Sequence, residues 1–458
     1  MLVASVIAYL GVTVLIGAVA SRFVSSSEDF VLAGRRLPLM LATTAVFATW
    51  FGSETILGAS SEFVQHGLIG VIEDPFGAAL CLFLVGVFFA RPIYRMNLLT
   101  FGDFYRIKYD ARVEAVSSVF MIISYFGWIA AQFVAMGIIL NVVFELPLAM
   151  GIVLSAVLVL IYTYLGGMWS ISITDFLQTV IIIVGLGFLL WEMMGQAGGW
   201  SRVVDSAPEG YFDMLPEFQP EAMVTWVAAW ITIGLGSIPQ QDVFQRVMAA
   251  RTERVAVQAS LLGSGMYLTI AFIPLLIGLC ARLLYPEMLV DDPQMVIPRA
   301  VLLHSEPWIQ ALFFGALLSA IMSTASGATL APATILAENI LKPRIGHLGD
   351  RGLLTLLRFS VVVVAVVSTV LASMRSNIYE LVGESSALSL VSLFVPMVAG
   401  LYWRRATPAG ALLSMVMGMA VWLLGEMVGL SVPSLIPALL ASAVAMVAGS
   451  LATTSGNA

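Results

Sequence analysis

The chain has 458 residues, 60% of them hydrophobic and 11% charged, with a mean hydropathy of +0.98. That charge content is roughly half of what a soluble domain carries, so the chain reads as an integral membrane protein and not as a soluble enzyme or nucleic-acid binder. The net charge of −7 argues the same way, because the 21 basic residues are scattered over short loops and form no run that could track phosphates; Cys81 and Cys280 sit inside apolar segments, which indicates neither a disulfide framework nor a metal centre.

In chain order, apolar runs near the roughly 20 residues needed to cross a bilayer occur at 2–20, 38–62, 68–91, 113–143, 147–165, 170–194, 223–246, 257–284, 307–336, 353–374, 378–401, 407–428 and 432–451, about thirteen spans in all. The first lacks a basic leading region and a small-residue cleavage site, so it reads as a span and not a signal peptide. If the spans alternate, Arg22, Arg35, Arg36, Arg91, Arg95, Arg106, Lys108, Arg112, Arg246, Arg251, Arg254, Lys342, Arg344, Arg351, Arg404 and Arg405 share one side, and Arg202, Arg282, Arg299 and Arg375 the other. The positive-inside rule makes the first side cytoplasmic, with the N-terminus outside and the C-terminus inside. The acidic loops 195–222 and 285–306, Asp291 included, then lie outside.

Two spans carry polar interruptions. The second, ATTAVFATWFGSETILGASS, has Gly52, Ser53, Glu54 and Thr55 at its centre, and the seventh has Gly234, Gly236, Ser237, Pro239, Gln240, Gln241 and Asp242. Proline removes a backbone donor and glycine loosens the helix, so both segments are expected to unwind in mid-membrane. Such breaks at matching places of two successive five-helix units point to an inverted-repeat secondary transporter; two kinked packing helices are the structural alternative. Further on, GALLSAIMSTASGATLAPATILAE (315–338) sets small and hydroxyl-bearing residues in an apolar span. Close helix packing uses such residues too. The adjacent hydroxyls Ser323 and Thr324, about one turn past Ser319 and Ala320, are also the oxygen donors that a small hard cation seeks.

The stretch YTYLGGMWSISITDFLQ (162–178) resembles the signature of the sodium/solute symporter family, and LSAIMSTASG (318–327) resembles its second recurrent motif. With EDFVLAGRRLP (28–38), the similarity runs from about residue 28 to about 405. More locally, ATWFGSE (48–54), FFARPIYR (88–95) and GSIPQQDVFQRV (236–247) resemble the choline-transporter branch. The resemblance implies an all-α LeuT-type core over 38–401, with repeats 38–194 and 223–401, preceded by a helix and linker (1–37) and followed by two flanking helices and a tail (402–458). It also implies a sodium site made by the carbonyls of Ala48, Phe51 and Ala320 and the hydroxyls of Ser323 and Thr324, positions that match the family's ion site. Five neutral oxygens suit a monovalent ion that must be released, which favours sodium over proton coupling. Asp175 corresponds to the family's Thr-Asp motif and is expected to help the ion leave; a carboxylate at a helix start is the alternative.

The substrate is expected near mid-membrane between the two breaks, facing Trp50, Ser53, Glu54, Trp128, Gln132, Gln240 and Gln241. An intramembrane carboxylate is expensive and so marks function, and indole faces attract ammonium groups, so an amine or choline-like solute fits. The choline branch, however, has an aromatic where this chain has Gln240, and the two amides also suit an amino acid, a carboxylate or a hydroxylated solute. Glu73 and Asp74, before a helix-bending proline near the outer side, either draw in cations or cap a solvated helix start. An enzyme would need a paired nucleophile and base, a channel repeated pore loops, and a sensor an added signalling domain where only LATTSGNA follows residue 450. The expectation is therefore a multi-pass sodium-coupled symporter of the plasma or inner membrane, importing a small organic solute.

Overall fold

A computed structural model describes residues 2–289, 292–346, 348–375 and 377–454; Asp291 and the end of the expected tail, 455–458, lie outside the described residues. The described chain is helical, and its one isolated strand-like bridge joins Leu37 to Ala250. Ten helices among the described residues are long and apolar enough to cross a bilayer, or eleven if the pair Pro220–Gly236 and Gln241–Ala249, bent by 47°, counts as one. The expected count of thirteen separate spans is not reproduced, and the differences are local. Helix Leu39–Phe47 is nine residues long, and beyond its break the chain continues as one path over Glu54–Arg95. Helix Leu148–Gln196 likewise joins two expected spans, departing from helical geometry at Gly167.

Gly167 has φ +50°, where a side chain is strained, and a Cβ there would stand 2.6 Å from the Phe30 ring. Glycine thus lets the helix bend against the linker that precedes the first interrupted span. That linker is itself well tied. Ser26 caps helix Ser27–Leu32 by accepting from the Asp29 N–H at 3.0 Å. Burial raises the Asp29 pKa, but hydrogen bonds from Ser25, Ser26 and Arg36 outweigh it and hold the carboxyl below its ordinary range. Past the linker, Leu37 N–H donates to the Ala249 carbonyl and Arg251 N–H to the Leu37 carbonyl, both at 3.0 Å. The start of the first interrupted span is therefore clamped to the end of the second.

The same end of the bundle holds Arg95 against Glu253 at 2.8 Å and Asn339 against Asp103 and Glu114 at 3.1 and 2.9 Å. At the opposite end Leu68 N–H donates to the Tyr211 carbonyl at 2.9 Å, Ile378 N–H to the Gln294 side chain at 3.0 Å, and Arg282 reaches the Val64 carbonyl. Loop residues distant in sequence thus gather at two ends, as alternating spans require. Between them runs Pro307–Ile335, every residue of which from Phe313 to Ile335 is buried. Its glycines, alanines and serines let it lie close against Leu148–Gln196 and Ala111–Phe144.

Candidate ion and substrate sites

The first interrupted helix stops at Phe47, unwinds over 48–52 and resumes as a widened, π-type turn over Glu54–Ala59. Unwinding frees backbone carbonyls, and the buried helix Pro307–Ile335 meets them with hydroxyls: Thr324 Oγ1 donates to the Ala48 carbonyl at 3.2 Å. Ser323 donates to the Asp175 carboxylate, whose other oxygen has no partner. Phe51 lies inside the unwound stretch and Ala320 one turn before Thr324, and both are fully buried. Of the residues expected to hold sodium, Thr324 and Ala48 are in direct contact, and Ser323 is turned to Asp175. Neutral oxygens at this spot fit a monovalent hard cation, and among the described residues no group of three or more His, Cys, Asp or Glu offers a divalent-metal centre.

Gly52 is the hinge between this region and a second one. A Cβ there would fall 2.6 Å from Thr324 Oγ1 and 2.9 Å from Gln132 Oε1 and Glu54 Oε2, so ion-side and substrate-side groups converge on the bare backbone. On the substrate side, Trp128 Nε1 and Gln132 Nε2 donate to the two Glu54 oxygens at 2.9 and 2.8 Å. Gln132 also accepts from the Ser53 N–H at 3.2 Å. Trp128 stacks on Tyr125, which is hydrogen-bonded to Asp242 of the second interrupted helix.

Trp50, Glu54, Trp128 and Gln240 line a narrow, nearly closed cavity of about 10 Å³, and Asp74, Ser237, Ser385 and Ser386 belong to the same wall. Ser53 and Gln132 support Glu54 from behind. Gln240, in extended conformation just before helix Gln241–Ala249, donates to Ser389 at 3.3 Å. Gln241 does not join this group: its side-chain Oε1 accepts the Phe101 N–H at 2.6 Å. Two adjacent residues at a helix start point roughly 100° apart, and only one of the pair faces the cavity. The second interrupted helix is anchored by fully buried Arg246, which donates to the Ala45 carbonyl at 2.8 Å and the Asp242 carbonyl at 3.3 Å. Asp74, read from sequence either as drawing in cations or as a solvated helix start, stands on the cavity wall, and the polar wall positions not singled out from sequence are Ser385 and Ser386.

A model of the sodium:solute symporter family matches residues 30–418. The chain belongs to that family. This symporter is similar to the high-affinity choline transporter 1 of Caenorhabditis elegans, 26% identical over 426 residues that cover 90% of this chain and 73% of that one. It is also similar to the sodium/glucose cotransporter of Vibrio parahaemolyticus, at 25% identity over 451 residues, 89% and 81% of the two chains. Among solved structures, a Na+-coupled sialic acid symporter in a substrate-bound outward-open state superposes with a TM-score of 0.85 at 18% identity, covering 98% of this chain and 97% of that one. Mhp1, a nucleobase-cation-symport-1 family transporter, gives 0.64 at 16% identity, covering 91% and 93%. The fold is thus the LeuT type that the sequence led one to expect. As a member of the family the protein is a membrane transporter and not an enzyme, with sodium as its coupling ion.

Proposed function

We propose that this symporter uses inward sodium movement to import a small organic cation by alternating access across a plasma or inner membrane, with its N-terminus outside and its C-terminus in the cytoplasm. The observation that carries the substrate's sign is Glu54, a buried carboxylate fixed by Trp128 and Gln132 on the wall of a cavity flanked by two indoles. A carboxylate that is ionised at the centre of a membrane protein needs a positive partner, and indole faces add to the attraction for an ammonium group. Similarity to choline transporters supports an amine.

In this reading sodium lies between the unwound carbonyls of Ala48 and Phe51, the Ala320 carbonyl and the hydroxyls of Ser323 and Thr324. Asp175, already bonded to Ser323, draws the ion off toward the cytoplasm. The transport core spans 38–401 as repeats 38–194 and 223–401, and the helices of 402–454 flank it. Because Gly52 brings Thr324 and Glu54 together, filling one site stiffens the backbone of the other, which is a direct route for coupling. The test is uptake in proteoliposomes under an inward sodium gradient, with radiolabelled amines, amino acids, sugars and carboxylates compared. Sodium-driven accumulation of an amine supports the proposal; accumulation of carboxylates alone contradicts the substrate's sign.

A further inference from the structure

The cavity holds a second carboxylate whose circumstances differ from those of Glu54. Asp74 is 1% exposed and lines the same wall. Its Oδ1 accepts the Tyr267 hydroxyl at 2.6 Å, while Oδ2 is buried with no hydrogen-bond partner. Tyr267 is held in turn by the Thr55 hydroxyl at 2.6 Å and lies 3.2 Å from the Trp50 carbonyl, so Asp74 is oriented from the unwound segment itself. Glu54 spends both oxygens on Trp128 and Gln132 and offers the cavity mainly its charge. Asp74 offers an acceptor, Oδ2, that has no donor among the described residues.

We infer that Asp74 is a second, directional carboxylate of the substrate site, and that it makes the site select organic cations carrying N–H donors, primary amines above all, over quaternary ammonium compounds. This rests on the organic-cation reading above and narrows it. A quaternary ammonium is bound by aromatic faces and has no N–H, so it would leave Asp74 Oδ2 buried and unpaired. A site built around a hydrogen bond rejects a ligand that lacks the donor far more strongly than an apolar pocket rejects a changed methyl group. Gln240 acts in the same direction. It puts on the cavity wall an amide, held by its donation to Ser389, where a quaternary ammonium would be served by an aromatic face.

Glu73, adjacent to Asp74, borders a separate open vestibule together with Glu380, Glu384 and Glu426, and Arg375 pairs with Glu380 and Glu384. Helix Ile378–Ser389 lines both, with Glu380 and Glu384 on the vestibule and Ser385 and Ser386 on the inner cavity. Carboxylates on an open face raise the local concentration of cations.

The test is a methylation ladder. The purified protein in saturating sodium is titrated with ethanolamine, N-methylethanolamine, N,N-dimethylethanolamine and choline, and binding is read as the shift in thermal unfolding. Affinity should fall along the series, with choline about tenfold or more weaker than ethanolamine. In Asp74→Asn ethanolamine should weaken by about tenfold, choline by less than about threefold, and sodium-induced stabilisation should persist. Asp74→Glu should keep the ranking. Tyr267→Phe, which removes the orienting hydroxyl but not the charge, should flatten the ladder in part and decides the matter if Asp74→Asn does not fold. Choline binding as tightly as ethanolamine overturns the inference while leaving the organic-cation reading intact. A ladder unchanged in both Asp74→Asn and Tyr267→Phe removes Asp74 from selection. Binding of carboxylates but of no amine overturns the inference and the organic-cation reading together.

Discussion

Around Thr324 the oxygens nearest the unwound backbone are hydroxyls and carbonyls, with the Asp175 carboxylate set beside them on Ser323, whereas on the other side of Gly52 the carboxylates Glu54 and Asp74 line the cavity itself. On the proposed function the two regions face positive cargo with different materials because their tasks differ. A sodium ion stripped of water binds to neutral dipoles tightly enough to be selected and weakly enough to leave in each cycle. An organic cation is larger, its charge more diffuse, and a fixed carboxylate both compensates that charge and rejects solutes of the wrong sign. The comparison is sharp only if the regions are separable, and substitutions can pull them apart.

The largest effect is expected where they touch. Gly52→Val would push a side chain into Thr324, Gln132 and Glu54 at once, so uptake should fall by about a hundredfold or more while the protein still reaches the membrane, because packed sites lose several kcal/mol on overfilling. Sodium binding and substrate binding measured separately should both be lost; loss of one alone would mean that Gly52 is not their shared wall. Next comes Glu54→Gln. Removing one partner of a buried charge pair costs about 3–5 kcal/mol, so a cationic substrate should weaken by about a hundredfold to a thousandfold or more while sodium-induced stabilisation changes by less than about threefold. A neutral solute should be nearly indifferent, and equal losses for both classes would erase the distinction between the two regions.

Smaller again is Thr324→Ala or Ser323→Ala, each removing one neutral oxygen. An unmet buried polar contact costs about 1–3 kcal/mol, so the sodium concentration for half-maximal uptake should rise about tenfold, with maximal uptake at saturating sodium largely retained. The smallest effect belongs to the vestibule. Glu426→Gln and Glu384→Gln should lower the uptake rate of a cation by about threefold or less, and the difference should vanish at high ionic strength, where steering is screened. A loss that persists in high salt would make these residues direct contacts.

The two regions were unequally legible in the sequence. A hydroxyl pair in an apolar span and a glutamate beside glycine in mid-membrane are costly there whatever the fold, so Ser323, Thr324 and Glu54 announced themselves by residue type alone. The inverted-repeat fold followed from the two interruptions together with the family motifs. Asp74 stands in the sequence between two readings, because Glu-Asp-Pro is also how an ordinary helix begins; its entry into the cavity depends on the path through 67–77, where Gly67 has φ +70° and Asp74 leaves helical geometry. That is a tertiary fact with no local signature. The Gln240–Gln241 pair failed differently, since composition places two amides at a break while helical phase sends one to the cavity and the other to Phe101. The span count failed where helices bend without ending, at Gly167 and along 54–95.

The account depends most on Ser323 and Thr324 being sodium ligands and not packing residues in a crowded helix. Binding of radiolabelled sodium to the purified protein, without any organic substrate, separates these directly for the parent and for the double variant Ser323→Ala with Thr324→Ala. The expected result is saturable binding in the parent and a rise in the half-saturating concentration of about a hundredfold in the double variant, with a cooperative thermal transition retained. Sodium affinity preserved in a folded double variant would contradict the account.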